Sequence, residues 1–202
     1  MEKKQIVLAT RNQDKLKEIR DVFKSDYFEL ISWDTFDSDS EIIEDGDTLL
    51  ANATKKAEVV FHKTGLPTLA DDTGLEVEYL DGQPGVKSSR FAGENVTYEV
   101  NNRKLLDVLK NVPWEERNAR FRTIVVFKHN KVRFNTEGIC QGIIHTELTG
   151  DNGFGYDPLF YIPEKKKTFA EMKPIEKNRI SHRGIAFKKM ANILKNKANE
   201  IF

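Results

Sequence analysis

The chain is poor in the residues that build small extracellular scaffolds. Among 202 residues there is one cysteine, Cys140. A single thiol excludes an intramolecular disulfide framework and leaves no cysteine-built zinc site, which suits a reducing compartment. Charge of one sign is missing too: 32 Lys and Arg balance 32 Asp and Glu. A protein that tracks a nucleic-acid backbone carries a basic excess, so no nucleic-acid partner is expected. No stretch approaches the roughly 20 apolar residues of a membrane span. The first apolar run, Ile6 to Ala9, is too short for a signal peptide. No membrane partner and a cytoplasmic location are therefore expected. Repeats, low-complexity tracts and linkers are absent as well.

What is present alternates between strand and helix patterns. Gln5 to Thr10 reads as a short buried strand, and Asn12 as the cap of a helix with Leu16, Ile19, Val22 and Phe23 at helical spacing. Phe28 to Trp33 reads as a second strand. Asp34 to Asp47 is an acidic, loop-like stretch with no lysine or arginine. Asp47 is expected to cap a helix to about His62, with Leu50, Ala53, Ala57, Val60 and Phe61 on its apolar side. Leu66 to Ala70 is a strand entering Asp71-Asp72, Gly74 permits a turn, and Leu75 to Tyr79 resumes as a strand. Thr97 caps a helix that Pro113 ends. Arg120 to Lys128 and Val132 to His145 read as a hairpin, and Ser181 as the cap of a last helix. The pattern predicts an α/β fold with one mixed sheet. A cleft between two parts of a single domain, 1–202, is expected.

Four places have residue types suited to chemistry. In "LATRNQDKLKEI" a buried strand turns into a helix whose first N–H groups lack intrahelical partners, which makes an anion site. Thr10 adds a hydroxyl, Asn12 an amide and Lys15 a charge, with Arg11 in the same turn. The glycines and the GK[ST] ending of a Walker A loop are absent. Asp71 and Asp72 follow an apolar strand, and adjacent carboxylates need water, a cation or a proton to coexist. Oxygen sites of this kind favour magnesium when phosphates are present. In "GDNGFGYDPLFY" the glycines around Phe154 offer a ring on which a base can stack. In "EKNRISHRGIAF" Lys177, His182 and Arg183 gather around a helix start, where cations invite an anion or a carbonyl oxygen.

Together these places fit a nucleoside triphosphate with magnesium. The blocks "LATRNQDKLKEI", "EDGDTLLANATKKA", "LADDTGLEVEYLDGQPGVKSSRFAG", "GFGYDP" and "TFAEMKPIEKNRISHRGIA" resemble, in order and spacing, the Ham1-like inosine triphosphate pyrophosphatases. The resemblance spans nearly the whole chain. It implies Mg2+-dependent hydrolysis of ITP, dITP and XTP to the monophosphate and pyrophosphate. It also implies a mixed, elongated β-sheet flanked by helices, two lobes around a central cleft, and a homodimer.

Carried over residue by residue, the resemblance makes Thr10, Asn12 and Lys15 phosphate contacts, with Arg11 grouped beside them. Asp72 becomes the general base and metal ligand, and Thr73 a substrate contact. Phe154, Gly155, Tyr156 and Asp157 become the base-binding loop, and Lys177, His182 and Arg183 further substrate contacts. The chain departs from the family pattern in two places. Arg11 and Asp14 stand where glycine is common, and Ile43 stands where the acidic metal ligand usually falls. Glu44, or alternatively Glu41, is expected to take over that role. Selection of 6-oxo purines is expected to use a donor from Arg183 or from backbone N–H groups near His182.

Overall fold

The computed structural model describes residues 3–37 and 42–202. Glu41 therefore lies outside the described residues. The strands are β1 (Lys4–Leu8), β2 (Phe28–Ser32), β3 (Thr68–Val77), β4 (Pro84–Gly85), β5 (Asn118–His129), β6 (Val132–Ile144), β7 (Phe160–Ile162) and β8 (Lys167–Thr168). They form one mixed sheet in the order β2-β1-β3-β5-β6-β7-β8, with β4 on β3. β1 runs parallel to β2 and β3, whereas β7 is antiparallel to β6 and β8. The helices are α1 (Gln13–Val22), α2 (Leu49–Thr64), α3 (Tyr98–Val108), α4 (Pro174–Ile180), α5 (His182–Asn196) and α6 (Ala198–Ile201). The expected α/β class with a single mixed sheet flanked by helices is what the chain forms. Among the described residues no helix is long and apolar enough to cross a membrane.

The chain divides into two compact units, and the boundaries fall inside β3, β5 and β6 and after the first residue of α5. The first comprises residues 1–72, 123–138 and 183–202; the second comprises 73–122 and 139–182. In the first, Leu16 and Ile19 of α1 and Phe187, Met190 and Leu194 of α5 join Ile6, Leu8, Leu69, Val125 and Phe127 in one core. The second has its own core, in which Phe121, Phe160 and Phe169 pack ring to ring with Leu75, Leu105 and Leu109.

Local chemistry explains where these elements begin. Asn12 caps α1 by accepting the Lys15 N–H at 3.0 Å, and Thr97 caps α3 by accepting the Val100 N–H. For α2 the cap is Thr48, which accepts the Ala51 N–H, and not the expected Asp47. In α2 Leu50 faces solvent, while Leu49, Asn52, Ala53, Lys56, Ala57 and Val60 are buried. The expected turn at Gly74 is not formed either, because β3 continues through Asp71-Asp72-Thr73-Gly74 to Val77. Gly74 serves a close approach instead: a Cβ there would lie 2.6 Å from the Gly85 carbonyl oxygen of β4. The hairpin of β5 and β6 turns at Asn130, whose φ of 46° suits asparagine.

Candidate functional site

Because side chains alternate along a strand, Asp71 and Asp72 face opposite sides of β3 and meet different neighbours. Asp71 is buried, and its Oδ2 lies 3.1 Å from Lys15 Nζ of α1 and 3.8 Å from Arg183 Nε of α5. Burial raises its pKa, but the charges of Lys15, Arg183 and Lys56 outweigh burial and hold it at about 2. Asp72 is buried against α2. Its Oδ2 accepts the Asn52 amide at 3.0 Å, and its Oδ1 lies 3.9 Å from Lys56 Nζ. Here burial wins and the carboxyl is pushed up. Lys56 and Lys15 oppose the rise, Glu44 adds to it, and the Asn52 hydrogen bond works against it. Two neighbouring carboxylates are thus driven apart, one held ionised and the other made more basic, which is how acid and base roles are divided.

Lys56 completes this cluster. Its Nζ lies 2.7 Å from Glu44 Oε1, and although burial opposes its charge, Glu44, Asp72 and Asp71 hold the ammonium more firmly protonated than usual. Arg183 is buried and pairs with Glu18 Oε2 at 2.5 Å. The compensating anions expected at the start of α5 are therefore protein carboxylates, Glu18 and Asp71.

Around the first turn, Thr10 Oγ1 accepts the Asn12 N–H at 3.3 Å, and the Asn12 carbonyl side chain is used in capping α1. Arg11 is drawn to the segment after β2: it donates to the Asp37 carbonyl at 2.6 Å, and its Nε lies 3.2 Å from Asp34 Oδ1. Arginine at that position is explained by these acidic partners. Ile43 is 66% exposed and does not join the core.

The second unit holds the aromatic loop. Gly153 adopts φ +77°, and a Cβ there would run into Asp157 Oδ2, so glycine is required. Asp157 Oδ2 accepts the Phe154 N–H at 2.9 Å and pairs with Lys177 Nζ of α4 at 2.5 Å; both side chains are only 4% exposed. Lys177 Nζ also stands over the partly exposed Phe154 ring, 5.1 Å from its centroid. Gly155 is half-buried, and its carbonyl accepts the Asn102 side-chain amide of α3 at 2.9 Å. Tyr156 is buried and its hydroxyl donates to the Ser88 carbonyl at 2.9 Å, so this ring anchors the loop from below. His182 is buried and stacks on Phe121 at 4.4 Å between centroids. Thr73 is half-buried in β3.

The structure therefore gathers Lys15, Asp71, Asp72, Glu44 and Arg183 in the first unit, and Phe154 to Asp157 with Lys177 in the second. Sequence reading had not singled out Lys56, Asn52 or Glu18. A signal for the first two exists: Asn52 and Lys56 lie four apart beside Ala53 and Ala57, placing polar groups on the buried face of α2.

A model of the Ham1 family matches residues 6–193. The chain belongs to the Ham1 family. A curated relative, the dITP/XTP pyrophosphatase of Desulforamulus reducens, is 49% identical over 190 residues, covering 94% of each chain. That of Caldanaerobacter subterraneus subsp. tengcongensis is 46% identical, covering 96% of this chain and 98% of its own. Among solved structures, a HAM1 protein from Coxiella burnetii superposes with a TM-score of 0.87 at 39% identity. That alignment covers 96% of this chain and 99% of the other.

Proposed function

We propose that this Ham1-family protein hydrolyses non-canonical purine nucleoside triphosphates (ITP, dITP and XTP) to the monophosphate and pyrophosphate, removing them from the nucleotide pool. The observation that carries the reading is the divided carboxylate pair. Asp71 lies against Lys15 and Arg183, while Asp72 accepts the Asn52 amide and faces Lys56, so adjacent carboxylates meet different partners on the two sides of β3. Curated relatives of nearly equal length named dITP/XTP pyrophosphatase support the substrate class. The whole chain serves this as one nucleotide pyrophosphatase domain, acting in the cytoplasm as a homodimer without nucleic acid or membrane.

The donor set fits a hard divalent cation. Among the described residues no group of three metal-binding side chains is present, but Glu44 and Asp72 both approach Lys56 Nζ. One or two carboxylates with water and substrate phosphates is the usual provision for magnesium. Asp72 and Glu44 would hold it; when bound, magnesium neutralises the triphosphate charge and polarises the scissile P–O bond. Glu41 is the alternative to Glu44.

Asp72 takes the proton from a water whose oxygen bonds to the α-phosphorus. The bond from that phosphorus to the bridging oxygen breaks, and pyrophosphate departs with the electron pair. Lys15 and Lys56 balance the charge that gathers on it, with Thr10, Asn12 and Arg11 around the first turn. Positioning and charge neutralisation carry most of such a transfer.

Phe154 offers its ring to the base, while Gly155, Tyr156, Asp157 and Lys177 hold that ring in place. Thr73 and His182 complete the substrate contacts. Inosine and xanthosine present an acceptor at position 6, where adenine presents a donor. Arg183 is committed to Glu18 and Asp71, so backbone N–H groups near His182 are the better source of the matching donor. A buried donor facing the adenine amino group would be left unpaired, which is how a site rejects a near-isostere.

Phosphorus NMR of reactions with ITP, dITP, XTP, ATP, GTP and dTTP, with magnesium and with chelator, tests the reading. Pyrophosphate from the non-canonical 6-oxo purines alone, lost on chelation, is expected. Orthophosphate release, or equal cleavage of ATP, would overturn it.

A further inference from the structure

We infer that the face of α3 carrying Tyr98 and Asn102 positions the Phe154 loop, and that Asn102 is a positioning residue for base binding. The inference rests on the reading of that loop as the base site. Tyr98 and Asn102 lie four apart, hence on one side of the helix. Both reach the loop. Asn102 Nδ2 donates to the Gly155 carbonyl at 2.9 Å, across 53 positions of sequence. The Tyr98 ring lies 6.0 Å from the Phe154 ring, tilted by 43°. Other anchors hold the residues on either side: Tyr156 through Ser88, and Phe154 N–H through Asp157. Asn102 holds the Gly155–Tyr156 peptide between these two anchors, the next peptide but one after the Phe154 N–H.

Stability alone does not explain an asparagine here. Asn102 is 4% exposed, and its Oδ1 is buried without a hydrogen-bond partner among the described residues. A buried acceptor left unpaired costs free energy that a leucine of similar size would avoid. The neighbouring Asn101 shows the contrast. Its Oδ1 accepts the Ala92 N–H at 2.8 Å and its Nδ2 donates to the Ser89 carbonyl at 3.0 Å, so both ends of that amide serve the fold. Asn102 uses one end, and that end is spent on the loop. Gly155 is only half-buried, so its carbonyl can turn to water when Asn102 is lost. The loop then loses its fixed orientation without the fold collapsing.

The test compares wild type, Asn102→Leu and Tyr98→Ala with ITP as substrate and inorganic tripolyphosphate, which has no base, as competitive inhibitor. In Asn102→Leu the KM for ITP should rise about tenfold. Its kcat should stay within about twofold, the mark of lost binding common to ground and transition states. The inhibition constant of tripolyphosphate should not change, and the melting temperature should hold or rise. Tyr98→Ala removes an exposed ring and should raise the same KM by about threefold, a loss of the size expected for an aromatic pair. A fall in melting temperature and kcat with the KM for ITP unchanged would make Asn102 a merely structural residue and overturn the inference. Equal weakening of ITP and tripolyphosphate would overturn it as well. A wild-type protein that releases no pyrophosphate from ITP would sink the pyrophosphatase reading and this inference with it. Normal wild-type turnover with unchanged KM in both variants overturns only the role given to α3.

Discussion

Asn52 donates its side-chain amide to Asp72 Oδ2 at 3.0 Å, while its own Oδ1 accepts the Gly46 N–H at 2.8 Å. One side chain of α2 thus ties the acidic segment to the proposed base. A Cβ on residue 46 would stand 2.7 Å from that same Oδ1, so glycine is what allows the approach. Asn52→Ala should lower kcat for ITP by about tenfold, the value of one hydrogen bond to a charged group. Steady-state pyrophosphate release measures it; an unchanged kcat would remove Asn52 from the orientation of Asp72.

Asp72→Asn should lower kcat by roughly 10² to 10⁴, the usual contribution of a general base. Burial already disfavours the charged carboxylate, so a neutral amide of the same shape should leave the melting temperature within about 5 °C. Thermal melting followed by circular dichroism, beside the activity assay, separates the two effects. Normal turnover would exclude Asp72 as the base.

Removal of magnesium with a chelator should abolish pyrophosphate release. Glu44→Gln should raise the magnesium concentration needed for half-maximal rate by about 10- to 100-fold, the range seen when groups around a bound metal are lost. A magnesium titration of both proteins decides the matter. An identical requirement would leave Glu44 as the counter-ion of Lys56 alone.

Lys177 and Asp157 form an ion pair almost wholly out of water. Lys177→Met strands the Asp157 charge and should cost about 3–5 kcal/mol. In a chain of this size that lowers the melting temperature by roughly 10 °C. The double variant Lys177→Met, Asp157→Leu should recover most of the stability, because no lone charge stays buried. It should not recover the affinity for ITP, since the Phe154 N–H loses its acceptor. Recovery of both would make the pair purely structural.

Cys140 is buried and its thiol is pushed up to about 12 by burial, with Glu164 adding to the rise. The folded protein therefore holds this proton more tightly than the unfolded chain, whose thiol titrates near 9.0. The stability it contributes is complete below pH 9 and is lost as the pH rises toward 12. Iodoacetamide at pH 8 should leave the native protein unlabelled and alkylate the unfolded chain. Rapid native labelling would contradict the burial of this residue.

Much of the fold could be read along the chain, because the signals are local. Asn12 and Thr97 cap helices through their own side chains, and apolar spacing after them fixes which face is buried. The reading went astray where a long-range contact overrode a local preference. An Asp-Asp-Thr-Gly run resembles a turn, yet β3 passes through it since Lys15, Arg183 and Lys56 supply the charge that would otherwise require water. Thr48 displaced Asp47 as a cap by a single position, and the buried face of α2 includes Asn52 and Lys56 beside the expected alanines. The short strands β7 and β8 and helix α4 had too few residues to show a period.

The sequence by itself determined the family, the mixed α/β class and the blocks from which the site is made, since motif order and residue type survive without coordinates. Only the tertiary structure decided what each charge does. Asp71 and Asp72 are adjacent and chemically identical in the chain. Strand alternation turns one toward Lys15 and Arg183 and the other toward α2. Burial and the surrounding charges then separate their proton affinities in opposite directions.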